Sequence, residues 1–283
     1  MLTLLGWLLG CAPRNDPPPV VPAPVWPAAG AVHPLPPPDR TAGPPVRLLL
    51  DAGHGAVDNG GNTNVWGERE RDVMRRIVDG VAASFPAPVP GEEHLVVTRT
   101  RTDDAFVPYN RRVTLANASD LLISLHSDAR AGTRQGWMNP LAETWWTEGA
   151  AGFAILWSDE GEAALVGARH ALACGLARNM TAVGFLPYPG ADYPGLYAPD
   201  DTVPGVFVDR HVPRQRILLL RRPAVPSVIV ETHEAHDRDE VARWEEPETW
   251  RAFASVVEAT VAEAVEATAE ESVPTAGAGS TED

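Results

Sequence analysis

The stretch Val46-Arg-Leu-Leu-Leu-Asp-Ala-Gly-His-Gly55 decides the fold, because an apolar run ends there in a polar turn flanked by glycines. A nearly continuous apolar run is typical of a strand that is buried on both faces, as in a parallel sheet. Similar short runs recur along the chain. We therefore predict strands at 46–51, 94–98, 121–125, 153–157, 217–220 and 227–231.

Helical patterns alternate with these strands. Val73, Ile77 and Val81 recur every four residues and predict a helix over 70–85 with one buried stripe. Further helices are expected at 105–118, at 160–183 and from Pro247 onward. The alternation predicts an α/β fold, a single domain whose mostly parallel central sheet of about six strands is flanked by helices.

The two chain ends differ in composition from this central part. The apolar residues 1–10 lead into Leu8-Leu-Gly-Cys11, which resembles the lipobox of a bacterial lipoprotein signal, so we expect cleavage before Cys11 and lipidation of that cysteine. Residues 12–45 hold 13 of the 28 prolines, which favours an extended tether. The predicted organisation is a signal peptide at 1–10, a lipidated tether at 11–45, one domain at 46–268 and a disordered tail at 269–283. On this prediction the protein lies in the cell envelope, anchored to a membrane and facing the periplasm.

Composition excludes several kinds of chemistry. The formal net charge of -15 argues against a nucleic-acid partner, which needs a basic face. All 23 basic residues are arginine, so Schiff-base chemistry on lysine is excluded. The two cysteines, Cys11 and Cys174, are too few for a disulfide framework or a thiolate metal cluster.

Polar side chains stand at the carboxyl ends of the predicted strands, the edge where open α/β sheets form their sites. His54 follows the first strand, His126 follows the strand at 121–125, and Glu231 ends the strand at 227–231. Glu70 opens the helix after the His54 turn, with Glu68 as a competitor. Each is more often structural when it occurs alone. Two imidazoles, a carboxylate and an open position nevertheless form a catalytic zinc shell, and another carboxylate nearby can take a proton from water.

Six ordered blocks between about residue 46 and residue 245 resemble the zinc-dependent N-acetylmuramoyl-L-alanine amidases of the amidase-3 type. The matching blocks are Leu48-Leu-Leu-Asp-Ala-Gly-His-Gly55, Glu70-Arg-Asp-Val73, Thr98-Arg99 with Asp103, Arg112-Val-Thr-Leu-Ala-Asn117, Asp120-Leu-Leu-Ile-Ser-Leu-His-Ser-Asp-Ala129 and Pro226-Ser-Val-Ile-Val-Glu-Thr232.

The resemblance implies a peptidoglycan hydrolase that cleaves the amide bond between N-acetylmuramic acid and the L-alanine of the stem peptide. It implies Zn²⁺ held by His54, Glu70 and His126, with Glu231 as the catalytic carboxylate. Glu70 is preferred to Glu68 because the Arg-Asp-Val that follows it keeps the family's register. In some family members a helix blocks the site until a partner protein binds. The sequence of this chain does not decide whether it has such an activator.

The chain departs from the family pattern near two of these blocks. His233 and His236 follow the catalytic block at a spacing that fits either a coincidence on one helix face or a second contact near the metal. Asp128 replaces the usual asparagine after His126 and adds a charge there. We also expect Tyr188, Tyr193 and Tyr197, in the Pro- and Gly-rich segment 186–204, to line a groove for glycan or stem peptide.

Two alternatives stay open at this point. One is a non-catalytic lipoprotein that binds the cell wall on the same fold, although all four expected site residues are present. The other is a different zinc hydrolase such as a carboxypeptidase. Those enzymes commonly place histidine and glutamate ligands three residues apart, whereas Val57 stands three residues after His54.

Overall fold

The computed structural model describes residues 32–38, 44–56, 59–87, 94–130, 133–139, 144–148, 150–191 and 193–271. Within these ranges the chain forms nine strands and six helices. In chain order they are β1 Val46–Ala52, α1 Glu70–Ser84, β2 Leu95–Arg99, α2 Tyr109–Ala116, β3 Leu121–Asp128, β4 Thr133–Asn139, β5 Thr144–Glu148, β6 Ala154–Trp157, α3 Ala163–Val183, β7 Tyr197–Pro199, β8 Val206–Asp209, α4 Leu218–Arg221, β9 Ser227–Glu234, α5 Arg238–Trp244 and α6 Pro247–Glu271.

Seven of the strands form one sheet in the order β2-β1-β3-β9-β6-β8-β7. Strands β2, β1, β3 and β9 are parallel, and β6 and β8 pair parallel to each other. The antiparallel pairs are β6 with β9 and β7 with β8. The predicted α/β domain with a mostly parallel central sheet is therefore confirmed, with seven strands in place of about six.

The sheet is covered on both faces, because alternate residues of its central strands enter different apolar clusters. Leu48 and Leu50 of β1 belong to the large core built with α1, α3 and α6. Leu49, between them, packs on the opposite face with Ala116 of α2 and Leu219 of α4. The near-continuous apolar run of β1 is thus explained, since both faces of the strand are buried.

The three central parallel strands β1, β3 and β9 bring the predicted site residues to one edge. Gly53, which follows β1, donates its backbone N–H to Leu125 of β3. His126 of β3 lies opposite Glu231 of β9 in the register. Because carboxyl ends of parallel strands meet at the same edge, residues far apart in the sequence converge there.

The strand predicted at 217–220 is wrong. Its residues form the short helix α4, where Leu219 and Leu220 enter two different apolar clusters. A run of four apolar residues has no periodicity that separates a strand from a buried helical turn. The helix predicted at 105–118 is shorter than expected, since α2 begins at Tyr109 after Pro108. The strands β4, β5, β7 and β8 were not predicted.

The described part of the Pro-rich segment lies against the domain. Val32 is buried in the main core, His33 donates its backbone N–H to Val183, and Leu35 donates to Ser255 Oγ. Residues 32–38 thus extend the domain into the region predicted as tether. The predicted signal peptide at 1–10 and Cys11 lie outside the described residues. Of the tail predicted at 269–283, residues 269–271 are the last turn of α6, and the rest lies outside the described residues. None of the described helices has the length and apolar character needed to cross a membrane.

Candidate metal centre

Three side chains that the sequence singled out meet at the carboxyl edge of the sheet. His54 follows β1, Glu70 is the first residue of α1, and His126 belongs to β3. His54 Nε2 lies 3.1 Å from Glu70 Oε2, and His126 Nδ1 lies 2.9 Å from Glu70 Oε1. One atom from each side chain lies within 4.8 Å of the others, close enough for all three to ligate one metal ion.

A left-handed turn presents His54 to this centre. His54 has a φ of 62°, a conformation that is costly for a residue with a Cβ atom. The buried Arg112 holds the turn, because its guanidinium donates to the carbonyl oxygens of His54 and of Ala52 and to the carboxylate of Asp51. Ser124 Oγ donates to the other oxygen of Asp51 at 2.6 Å. Arg112 and Asp51 are thus positioning residues. Both stand in blocks that resemble the amidase family, but the sequence did not indicate that they pair and hold the turn.

Two glycines let the ligands lie directly against the backbone. A Cβ atom on Gly53 would lie 2.5 Å from Cε1 of His126. A Cβ atom on Gly61, whose φ is +70°, would overlap the carboxylate of Glu70 and the ring of His54. Neither position has room for a side chain while the three ligands keep their places.

Backbone donors fix the Glu70 carboxylate. Asn62 donates its N–H to Oε2 at 3.0 Å, and Ser127 donates its N–H to Oε1 at 3.2 Å. Glu68, the competitor in the sequence, accepts hydrogen bonds from Asn64 and Arg76. The structure therefore brings Glu70, and not Glu68, to the two histidines.

The charge state of the centre suits a cation. Burial opposes ionisation of Glu70, yet hydrogen bonds from His126 and His54 outweigh it and lower the pKa of its carboxyl to about 2. Burial alone would lower the pKa of His54, but its contact with Glu70 raises it. An ionised carboxylate between two imidazoles is a nitrogen and oxygen donor set that divalent transition metals accept. The residues present fit such an ion.

Glu231 adjoins the centre on β9, in register with His126. Its Oε2 atom is buried and has no hydrogen-bond partner among the described residues. Burial, with the nearby charges of Asp128 and Glu70, raises the pKa of the Glu231 carboxyl to about 8. Glu231 is therefore poised to exchange a proton near neutral pH.

A buried arginine organises the charges behind Glu231. Arg130 Nε donates to Asp128 Oδ2 at 2.9 Å, and Nη1 donates to the carbonyl oxygens of Ala150 and Gly152. The Tyr193 hydroxyl donates to the same Asp128 oxygen. The extra charge of Asp128, noted in the sequence, is thus balanced by Arg130, whose role the sequence did not indicate.

His233 and His236 do not join the centre, and they do not share a helix face, because β9 continues to Glu234. His233 is buried with its Nδ1 2.8 Å from Thr232 Oγ1. His236 stacks on Trp145, with ring centroids 5.2 Å apart, and its Nδ1 lies 3.1 Å from Glu234 Oε1. Neither belongs to the group of candidate ligands found among the described residues.

The expected tyrosine groove is also corrected. Tyr188 and Tyr193 are only 2% and 6% exposed and belong to an apolar cluster on one face of the sheet. The guanidinium of Arg130 lies 3.9 Å from the centroid of the Tyr188 ring. Tyr197 is half-buried and packs against the same cluster. Because Tyr188 and Tyr193 pack in the core, the three rings do not line an open groove.

Part of the chain matches a known family. Residues 48–151 match the Amidase_3 family, described as N-acetylmuramoyl-L-alanine amidase, which confirms the resemblance for the five sequence blocks in that range. The matched range contains the three candidate ligands and ends before Glu231.

N-acetylmuramoyl-L-alanine amidase AmiC of Escherichia coli O6:H1 is 34% identical over 87 residues, which are 30% of this chain and 20% of AmiC. The chain thus spans about a fifth of the length of that curated relative.

Solved structures share the fold over most of the domain. The amidase Ami1 of Mycobacterium smegmatis has a TM-score of 0.57 at 19% identity, covering 78% of this chain and 97% of that one. The N-acetylmuramoyl-L-alanine amidase of Clostridium difficile 630 has a TM-score of 0.54 at 17% identity, covering 81% of this chain and 99% of that one. At these identities the likeness establishes the fold.

Proposed function

We propose, from its Amidase_3 region and the geometry of the site, that this protein is a zinc-dependent N-acetylmuramoyl-L-alanine amidase. It would hydrolyse the amide bond between N-acetylmuramic acid and the L-alanine of the peptidoglycan stem peptide. The observation that carries the proposal is the convergence of His54, Glu70 and His126 on one point, with Glu231 beside them.

Zinc is the proposed ion because of the donor set. Two imidazole nitrogens and one carboxylate, with a position left open, form the ligand pattern of catalytic zinc sites. Zn²⁺ held by these side chains would supply a Lewis acid for the amide carbonyl and the attacking water.

Glu231 would move the proton in this reaction. Its unpartnered Oε2 can accept a proton from the attacking water and deliver it to the nitrogen of the departing L-alanine. The ionised form of Glu231 would accept the proton and the protonated form would deliver it, and a pKa of about 8 lies close enough to neutral pH for the carboxyl to pass between the two forms. Asp128 and Arg130 would keep that pKa in place, since one raises it and the other lowers it.

The test is the identity of the products. Purified sacculi are digested with the protein, and the soluble products are analysed by mass spectrometry. An amidase releases intact stem peptides with a free L-alanine N-terminus. Cleavage at another bond would favour a different zinc peptidase, and binding to sacculi without products would favour a wall-binding protein.

Glu231→Gln is the matched variant for this assay. It removes the exchangeable proton and leaves the three metal ligands in place, so we expect full zinc content and an activity at least about a hundredfold lower. Zinc content is measured by elemental analysis on the same preparation. Activity within a few fold of the wild type would exclude Glu231 as the acid and base.

We further propose a lipid anchor at Cys11 that holds the domain to an envelope membrane, facing the periplasm. Its support is the sequence Leu8-Leu-Gly-Cys11 followed by the Pro-rich segment. Cys11→Ser should move the protein from the membrane fraction to the soluble fraction on fractionation of cells. An unchanged membrane fraction would contradict the anchor.

A further inference from the structure

A second group of metal-ligating side chains lies outside the candidate centre, between α3 and the loop that follows β7. His170 and Cys174 stand one turn apart on α3, and Asp200 is the first residue after β7. His170 Nε2 lies 2.6 Å from Asp200 Oδ2 and 3.3 Å from Cys174 Sγ. Ligand atoms of the three side chains all lie within 4.8 Å of one another.

The carboxylate of Asp200 is held in place for this contact. Its Oδ1 accepts hydrogen bonds from the N–H of Thr202 at 2.9 Å, from the Thr202 hydroxyl at 2.8 Å and from the N–H of Val203 at 2.9 Å. Oδ2 is left to face His170. Carboxylates that ligate metals are commonly fixed in this way by hydrogen bonds from outside the site.

The His170 ring is fixed on one side and open on the other. It packs against Trp157, with ring centroids 4.8 Å apart, while 40% of the His170 side chain is exposed. A cation therefore has a path from solvent, and water can complete the coordination. Cys174 is buried at the inner end of the group.

We propose that His170, Cys174 and Asp200 bind a divalent transition-metal ion of the Zn²⁺ class. Imidazole nitrogen, thiolate sulfur and carboxylate oxygen are all ligands of this borderline-soft ion. The ion would join α3 to the loop between β7 and β8. The role is structural, because the group adjoins the edge strand β7, which is three strands away from β9 and its Glu231 in the sheet. Two cysteines are too few for a thiolate cluster, but a mixed site requires only one.

Burial raises the pKa of the Cys174 thiol to about 11, so metal binding must displace a proton there. Binding is therefore measured in buffer above neutral pH, with the full chain freed of metal by a chelator. Co²⁺ is the probe, because a cobalt ion bound to thiolate shows a charge-transfer absorption band in the near ultraviolet that histidine and carboxylate ligands do not produce.

We expect this band in the wild type and its absence in Cys174→Ser. Cys11→Ser is the matched control, because it removes the only other cysteine of the chain and should keep the band. His54→Ala disables the candidate catalytic centre and should also keep it, so failure of the proposed function and failure of this site are distinguished. A wild type without the band, or a band that persists in Cys174→Ser, would overturn the proposal.

Two further variants serve if Cys174→Ser does not fold, as judged by circular dichroism. Asp200→Asn and His170→Ala alter partly exposed side chains, and each should weaken Co²⁺ binding at the thiolate site at least about tenfold. Unchanged affinity in both would show that the group is an ordinary hydrogen-bonded cluster.

Discussion

Two carboxyl groups of the candidate centre, Glu70 and Glu231, are given widely separated pKa values by their surroundings. Glu70 lies between two imidazoles that donate to it, which lowers its pKa to about 2. Glu231 is buried near Asp128 without a hydrogen bond to Oε2, which raises its pKa to about 8. Environments that push two carboxyl pKa values apart assign different roles to chemically similar groups. One side chain is suited to ligation and the other to proton transfer.

Gly61 is predicted to be required for full metal affinity. A methyl group at Gly61 would overlap Glu70 and His54, so Gly61→Ala should weaken Zn²⁺ binding at least about tenfold. Gly195→Ala is the matched control, since Gly195 has a similar φ of +79° but no atom within 4 Å of the added carbon. Both variants should lose roughly 1 kcal/mol of stability through backbone strain. Only Gly61→Ala should lose affinity for Zn²⁺, which is measured by competition with a dye that chelates zinc. Equal affinities would contradict the proposed packing.

At the scale of elements, the contact of α1 with α6 depends on a glycine. Trp250 of α6 lies over Gly80 of α1, where a Cβ atom would overlap the indole ring. The ring is held there by its Nε1–H, which donates to the carbonyl oxygen of Trp244 at 2.7 Å.

Gly80→Ala is therefore predicted to destabilise the domain by about 1–3 kcal/mol, the cost of overpacking. Gly167→Ala in α3 is the control, because no atom lies within 4 Å of its added carbon. That change should stabilise α3 by about 1 kcal/mol, because alanine favours a helix over glycine. Urea unfolding of the two variants measures both effects, and a gain in stability for Gly80→Ala would show that the α1–α6 contact is looser than described.

Strands β1, β3 and β9 were predictable because each is a nearly continuous apolar run. The site was predictable because His54, His126 and Glu231 stand at or just after the carboxyl ends of these strands, which parallel pairing brings together. The helical conformation of residues 217–220 was not predictable, since one isoleucine and three leucines in a row fit a strand and a helical turn equally well. The roles of Arg130 and of Arg112, which opens one of the family-like blocks, were not predicted for a different reason. Their importance arises from burial against charges distant in the sequence, which no local pattern encodes.

At the scale of the whole molecule, the described region between β3, β9 and α5 contains a concentration of buried charge. Arg130 is enclosed by acidic side chains from three elements, and its backbone N–H donates to Glu234. Glu240 of α5 accepts from the N–H of Gly152 at 2.8 Å and of Glu234 at 2.7 Å. Glu240 thus joins α5 to β9 and to the segment before β6, so its ionisation affects how these parts hold together.

The protonation of Glu240 should make the stability of the domain depend on pH. Burial, with the charge of Asp237, raises its pKa to about 8, although Arg130 opposes the shift. The folded state then binds a proton that the unfolded state releases, so stability falls as pH rises from about 5 to about 8.

Glu240→Gln imitates the protonated form and should remove part of this fall, at most about 1.4 kcal/mol for each pH unit. The exposed Glu246→Gln is the control and should leave the urea-unfolding profile unchanged. If Glu240→Gln ran parallel to the wild type across this range, Glu240 would be ionised in the folded protein, and Arg130 would outweigh its burial.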